Sequence, residues 1–182
     1  LADAFGDDAF CRALVTAIGA GGEIKMARGR LRFRPAKAFA EIAGAAYDRL
    51  PVAAPGAQSS NTIVAFDERL FLKAYRRLQA GGNPEVEIGR FLTDVVHFRN
   101  SVPVAGSVEY IGADGSTTVL ALLQAYVANQ GDGWAYTLNH LDRVLEQSPA
   151  QPGPPGTGVD LHAGYLALIR TLGRRTGELH AA

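Results

Sequence analysis

The stretch NTIVAFDERLFLKAYRRL, residues 61–78, decides the fold. Its two runs 61–66 and 70–75 are rich in apolar and β-branched residues and flank the polar turn Asp67-Glu68-Arg69. Two such runs joined by so short a turn predict an antiparallel pair of strands. Lys73 alternates with Leu72 and Ala74, which puts it on one strand face with Phe71 and Tyr75. A lysine on an apolar strand face needs a partner, because an unpaired ammonium is costly to withdraw from water.

Downstream, residues 80–83 read as a loop, with Asn83 as N-cap and Pro84 as first helical residue of a helix carrying Ile88, Phe91, Leu92, Val95 and Val96. Two further strands are expected at 104–111 and 117–124, around the turn Gly112-Ala113-Asp114-Gly115. The order strand, strand, helix, strand, strand predicts an α+β unit over residues 56–130, with an antiparallel sheet and one packed helix. Residues 131–182 read as helical. Asp132 caps a helix presenting Trp134, Leu138, Leu141 and Leu145, the Pro- and Gly-rich run 148–159 is a loop, and Asp160 opens a last helix with Leu161, Tyr165, Leu168, Leu172 and Leu179 on one face.

Upstream, residues 1–55 form a first unit. A helix with Phe10, Leu14 and Ile18 as its apolar set ends at the glycines of 19–22, and PVAAPG at 51–56 reads as a linker. Between them, Ile24 to Arg34 alternates Ala27, Gly29, Leu31 and Phe33 with Arg28, Arg30, Arg32 and Arg34, which predicts one strand with four arginines on a face. Those arginines read as a solvated sheet face that also discourages edge-to-edge pairing; the alternative is a site for an anionic partner. Charge favours the first: Lys+Arg is 18 and Asp+Glu is 18 in the 182 residues, so acids balance the bases, and nucleic acid is not an expected partner.

The apolar fraction of 47% is that of a folded chain. A single cysteine, Cys11, can form no internal disulfide and points to a reducing, cytoplasmic setting. No apolar run approaches the length of a membrane span, and no secretory signal opens the chain. A first residue Leu1 and a final helix running to Ala182 without a stop residue are expected of a piece of a longer protein.

Lys73 is followed by two carboxylates, Glu85 and Glu87, at the start of the next helix. A strand lysine paired with a helix glutamate is how kinase-type folds hold nucleotide phosphates: the ion pair fixes the ammonium and the ammonium binds the phosphates. Helix phase places Glu85 nearer the Ile88/Leu92/Val95 face than Glu87. The run GAQSSNT, residues 56–62, offers small polar residues and backbone N–H groups to phosphate, although it matches neither a glycine-rich kinase loop nor a Walker A motif.

The strings SNTIVAFDERLFLKAYRRL, NPEVEIGRFL, PVAGSVEY, LALLQAYVANQGDGWAYTL and LGRRTGELH, in that order over residues 58–182, resemble bacterial maltokinases, most of all the maltokinase part fused behind trehalose synthase. The resemblance implies a protein-kinase-like N-lobe preceded by an N-terminal cap subdomain. It implies transfer of phosphate from ATP, with Mg2+, to the anomeric hydroxyl of maltose, and a fused or associated trehalose synthase domain as partner. Carried onto this sequence, it makes Lys73 the phosphate-binding lysine and Glu87 its partner, with Glu85 as the alternative. Ser59, Ser60, Asn61 and Thr62 become the phosphate-covering loop, and Gln124, Ala125, Tyr126 and Val127 the hinge against adenine.

The catalytic Asp of a His-Gly-Asp-like loop and a second, metal-holding Asp, both implied by the resemblance, have no match here. Asp160-Leu161-His162 echoes such a loop, but Asp160 reads as an N-cap. His140 reads as a surface residue, since no second ligand stands at metal-binding spacing from it. The chain is therefore expected to be catalytically silent alone and to bind ATP weakly, with apolar helix surface that favours self-association into a homo-oligomer. Two other functions fit the same residues: a non-catalytic cap or assembly module of trehalose synthase, and a related sugar or aminoglycoside kinase.

Overall fold

The computed structural model describes residues 3–53, 60–147 and 161–182. They fall into two compact units, Leu1–Val127 and Ala128–Ala182. The fold is α+β, and the first unit is built on one seven-stranded antiparallel sheet.

Helix α1 (Asp8–Ala20) opens the first unit, with the Asp7 carboxylate accepting from the Ala9 and Phe10 N–H groups. Its buried side is Cys11, Val15 and Ile18; Leu14 is half-buried against it, and Phe10, expected in the apolar set, is exposed. The predicted single strand from Ile24 to Arg34 is instead a hairpin, β1 (Gly22–Met26) and β2 (Gly29–Pro35). Ala27 and Arg28 make the turn, and they keep the strand's alternation in the sequence, which hides it. Gly29 has φ 154, and a Cβ there would strike the Ile111 carbonyl oxygen, so only glycine restarts the strand. Only Arg30, Arg32 and Arg34 then share the strand face; Arg28 lies in the turn.

A short helix α2 (Phe39–Ala43) follows, and then β3 (Val52–Ala53) pairs with β4 (Thr62–Phe66). The expected linker at 51–56 therefore begins as an edge strand; residues 54–56 lie outside the described residues. β4 and β5 (Leu70–Ala74) form the hairpin read from the sequence, with Asp67 at φ 52 in its turn. Helix α3 (Pro84–Asp94) intervenes before β6 (Val104–Gly112) and β7 (Thr117–Ala125).

The strand order is β1-β2-β6-β7-β5-β4-β3. β2 of the first 55 residues pairs along its whole length with β6, so the expected separation into units at 55/56 is bridged by a continuous sheet. One sheet face, with α1 and α2, holds the larger core: Cys11, Val15, Ile18, Phe33, Phe39, Phe66, Leu70, Leu72 and Leu123 among others. Gly106 lets α1 and β2 approach this closely, because a Cβ there would meet Ile18 Cγ2 and, at 2.8 Å, the Arg34 carbonyl oxygen. The other face carries α3 over a smaller core of Ala36, Val86, Val104, Val119 and Leu122, flanked by Tyr75.

The second unit consists of α4 (Gly133–Gln147) and α5 (Ala163–His180). Asp132 Oδ1 accepts from the Ala135 N–H at 2.7 Å, as a cap of α4. Trp134, Leu138, Leu141, Leu145, Leu168 and Leu172 are all exposed. Asp160 and the loop 148–159 lie outside the described residues, and His162 stands at the N-cap position of α5 without a side-chain capping bond. Among the described residues no helix is long and apolar enough to cross a membrane.

Candidate functional site

Lys73 sits in β5 between Ile63 of β4 and Leu122 of β7, on the sheet face that carries α3. The start of α3 is set locally. Asn83 Oδ1 accepts from the Glu85 N–H at 3.0 Å, and Pro84 fills a first-turn position that needs no N–H donor. This fixes Glu85 in the first turn, above Lys73. The Lys73 ammonium donates to both Glu85 oxygens, at 2.9 Å and 2.8 Å. Tyr75, two residues along the same strand face, donates its hydroxyl to Glu85 Oε2 at 2.8 Å, and the ammonium lies 5.6 Å from the centroid of its ring. Burial, and next the hydrogen bond to the anionic Glu85, push the Tyr75 phenol well above its ordinary pKa. The tyrosine therefore stays a neutral donor at physiological pH.

The partner of Lys73 is thus Glu85. Glu87, which the family resemblance put first, lies against Gly82 and lines a cleft with Arg32, Arg34 and Arg90. The reason is helix phase: two residues onward, a side chain emerges on nearly the opposite side of a helix.

Of the expected phosphate loop, Ser59 lies outside the described residues. Ser60 is exposed beside Asn61, whose amide donates to the Ser60 hydroxyl at 3.4 Å. Thr62 opens β4, opposite Ala74, and its hydroxyl accepts from Arg76 Nε at 3.0 Å. At the expected hinge, Gln124 is paired opposite Phe71 in β7. The Ala125 and Tyr126 N–H groups donate to the carbonyls of Pro103 and Arg69, at 2.9 Å and 2.8 Å, and Val127 is exposed. The structure therefore brings Lys73, Glu85 and Tyr75 together. Ser60, Asn61 and Thr62 stand at one end of the neighbouring strand, and Gln124, Tyr126 and Val127 where β7 ends.

The five strands β3 to β7 run in the order β3-β4-β5-β7-β6, with α3 inserted between the third and fourth in sequence. A lysine on the third strand held by a glutamate of the helix that follows is the arrangement of a kinase-like N-lobe. The two-strand addition β1-β2 and helix α1 extend that lobe beyond its β6 edge.

In the second unit, His140 is buried rather than on the surface. Its Nε2 lies 3.1 Å from His162 Nδ1, and its ring stacks on Tyr165 with centroids 4.4 Å apart. Sequence reading missed this because it weighed His140 only for metal-ligand spacing; the partners come from a helix beyond a proline-rich loop. Among the described residues no group of three or more His, Cys, Asp or Glu is placed to hold a metal ion.

No family model matches the chain. Among solved structures, one titled "Glucosamine kinase (crystal form B)" is similar, with 20% identity and a TM-score of 0.39. The match covers 76% of this chain and 42% of that one, so the chain spans less than half the length of that protein.

Proposed function

We propose that the chain is the phosphate-holding, N-terminal part of an ATP-dependent sugar kinase. The observation that carries the reading is the Lys73–Glu85 ion pair, joined by Tyr75, on the third strand and first helix turn of a kinase-like lobe. Glu85 and Tyr75 hold the ammonium in one place. A positive charge fixed before the reaction stabilises charge that builds on a transferring phosphoryl group without having to reorganise. The ammonium, with Ser60, Asn61 and Thr62 at the end of the neighbouring strand, suits the phosphates of ATP. Among the described residues no group of three or more His, Cys, Asp or Glu is placed to hold Mg2+, and in this proposal, as the family resemblance implies, a C-lobe would supply the metal-holding carboxylates and the catalytic base.

The acceptor in this proposal is maltose, phosphorylated at its anomeric hydroxyl, in a cytoplasmic protein fused to or associated with a trehalose synthase domain. Its support is the family resemblance of the strings over residues 58–182. The test is ATP consumption by the natural full-length protein with maltose, glucose and glucosamine offered separately. Turnover is expected with maltose, and Lys73→Ala should lower it by about 100-fold or more with an unchanged circular dichroism spectrum. Normal turnover in Lys73→Ala overturns the site. Turnover with glucosamine and none with maltose keeps the kinase and replaces the acceptor.

A further inference from the structure

A cleft of about 420 Å³ lies beside the Lys73 site, on the same sheet face, between β2, β6, the start of β7 and the N-terminal half of α3. Arg32, Arg34 and Arg90 line it, together with Glu87 and Glu109. Its floor is tied in place. Arg90 Nη2 donates to the Ser107 hydroxyl at 3.1 Å and to the Arg34 carbonyl at 2.9 Å, and the Ser107 hydroxyl donates to Glu109 Oε1 at 2.9 Å. Ser107 is fully buried and the Glu109 side chain is only 6% exposed. Among the described residues Arg34 makes one loose side-chain contact, Nη1 to Glu109 at 3.6 Å, and it is otherwise half-exposed. The Arg90 Nε is buried with no partner among the described residues. Burial, and next the nearby Arg34 charge, lower the Arg90 pKa, so the two guanidiniums oppose one another. An anion between them would relieve both penalties.

The geometry points to a binding site for a small hydroxylated phosphate ester, a sugar phosphate in class, held by Arg34 and Arg90. Guanidinium forks match phosphate oxygens in shape and charge. The Glu87 and Glu109 carboxylates accept hydrogen bonds, and on a small ligand the donors they suit are hydroxyls, which sets a sugar ester apart from free phosphate. The volume is that of a small-molecule site. Arg32 closes the rim, where Glu23 holds its Nε at 2.8 Å. The site is separate from Lys73 and does not depend on the kinase reading.

Calorimetric titration of the chain with glucose 6-phosphate, inorganic phosphate and glucose tests the inference. Glucose 6-phosphate should bind saturably, more tightly than inorganic phosphate, with affinity falling as salt rises; glucose should not bind. Arg34→Gln should weaken binding by about tenfold or more, the loss of one charge-assisted pair. Lys73→Ala should leave it unchanged. Should Arg34→Gln fail to fold by circular dichroism, Arg32→Gln, at the solvated rim, gives the same comparison with a smaller loss. No saturable binding of any probe, binding that survives the arginine variants, or binding lost in Lys73→Ala instead would each overturn the site. Inorganic phosphate binding as tightly as the ester would overturn the sugar-phosphate assignment.

Discussion

At Glu85 one carboxylate accepts two hydrogen bonds from Lys73 and a third from Tyr75. The Lys73 and Glu85 side chains are 24% and 40% exposed, so water screens the pair and its share of stability is small. Lys73→Met should change the unfolding free energy by less than about 1 kcal/mol in urea titration, which separates a functional pair from a structural one. Glu85→Gln should bring the Tyr75 ionisation down toward its ordinary value of 10.0 without reaching it, because burial is the larger cause and persists. Ultraviolet titration of the phenol reads this directly, and an unmoved Tyr75 would mean that Glu85 does not act on it. The lysine was legible from strand alternation alone, and so was the need for a partner. The choice between Glu85 and Glu87 was not, since the apolar stripe and the family resemblance pointed to different residues.

Helix α3 shows what periodicity leaves open. Of its expected apolar set Ile88, Phe91, Leu92, Val95 and Val96, Leu92 is buried, but Ile88, Phe91 and Val95 are exposed at 56%, 47% and 63%. The helix buries Val86 alongside Leu92, and packs through Gly89, Arg90 and Thr93. Thr93 Oγ1 accepts from the Val104 N–H at 2.9 Å, and a Cβ on Gly89 would stand 2.7 Å from Val104 Cγ2. A hydrophobic pattern identifies a stripe, but close approach is decided by where a small residue meets a partner strand. Gly89→Ala should therefore destabilise by about 1–3 kcal/mol, against the ~1 kcal/mol that alanine gains in an open helix. Adding Val104→Ala should make the pair less costly than the sum of the singles; additive costs would show that the two do not touch. In the β1–β2 hairpin, Glu23 accepts from Arg32 and Arg30, which hold its carboxyl below the ordinary value of 4.5. A lowered folded-state value means stability that is present above pH 4.5 and is lost as pH falls through the folded value. Arg32→Gln should flatten that acid limb in pH-dependent melting, by lowering stability slightly near neutrality and leaving it unchanged once Glu23 is protonated.

Across the whole molecule, sheet continuity was the feature sequence reading could not supply. Each hairpin announces itself locally through alternation and a turn, whereas the pairing of residues 29–35 with 106–112 joins segments more than seventy residues apart. A chain starting at residue 56 would discard Cys11, Val15, Ile18, Phe33 and Phe39 from the larger core and expose the β6 edge. It should show no cooperative thermal transition, whereas a chain ending at Val127 should keep one. A sharp transition in the shorter chain would restore a boundary at 55/56. The same core contains the chain's single cysteine. Cys11 is fully buried in α1, its thiol donates to the Phe5 carbonyl at 3.5 Å, and burial, with Asp8 and Asp7 nearby, raises its pKa. A thiol so enclosed meets an alkylating reagent only when α1 lifts from the sheet. The unaltered protein thus carries a built-in chemical clock: the rate of alkylation, followed by mass against denaturant, times the opening of its larger core with no label introduced.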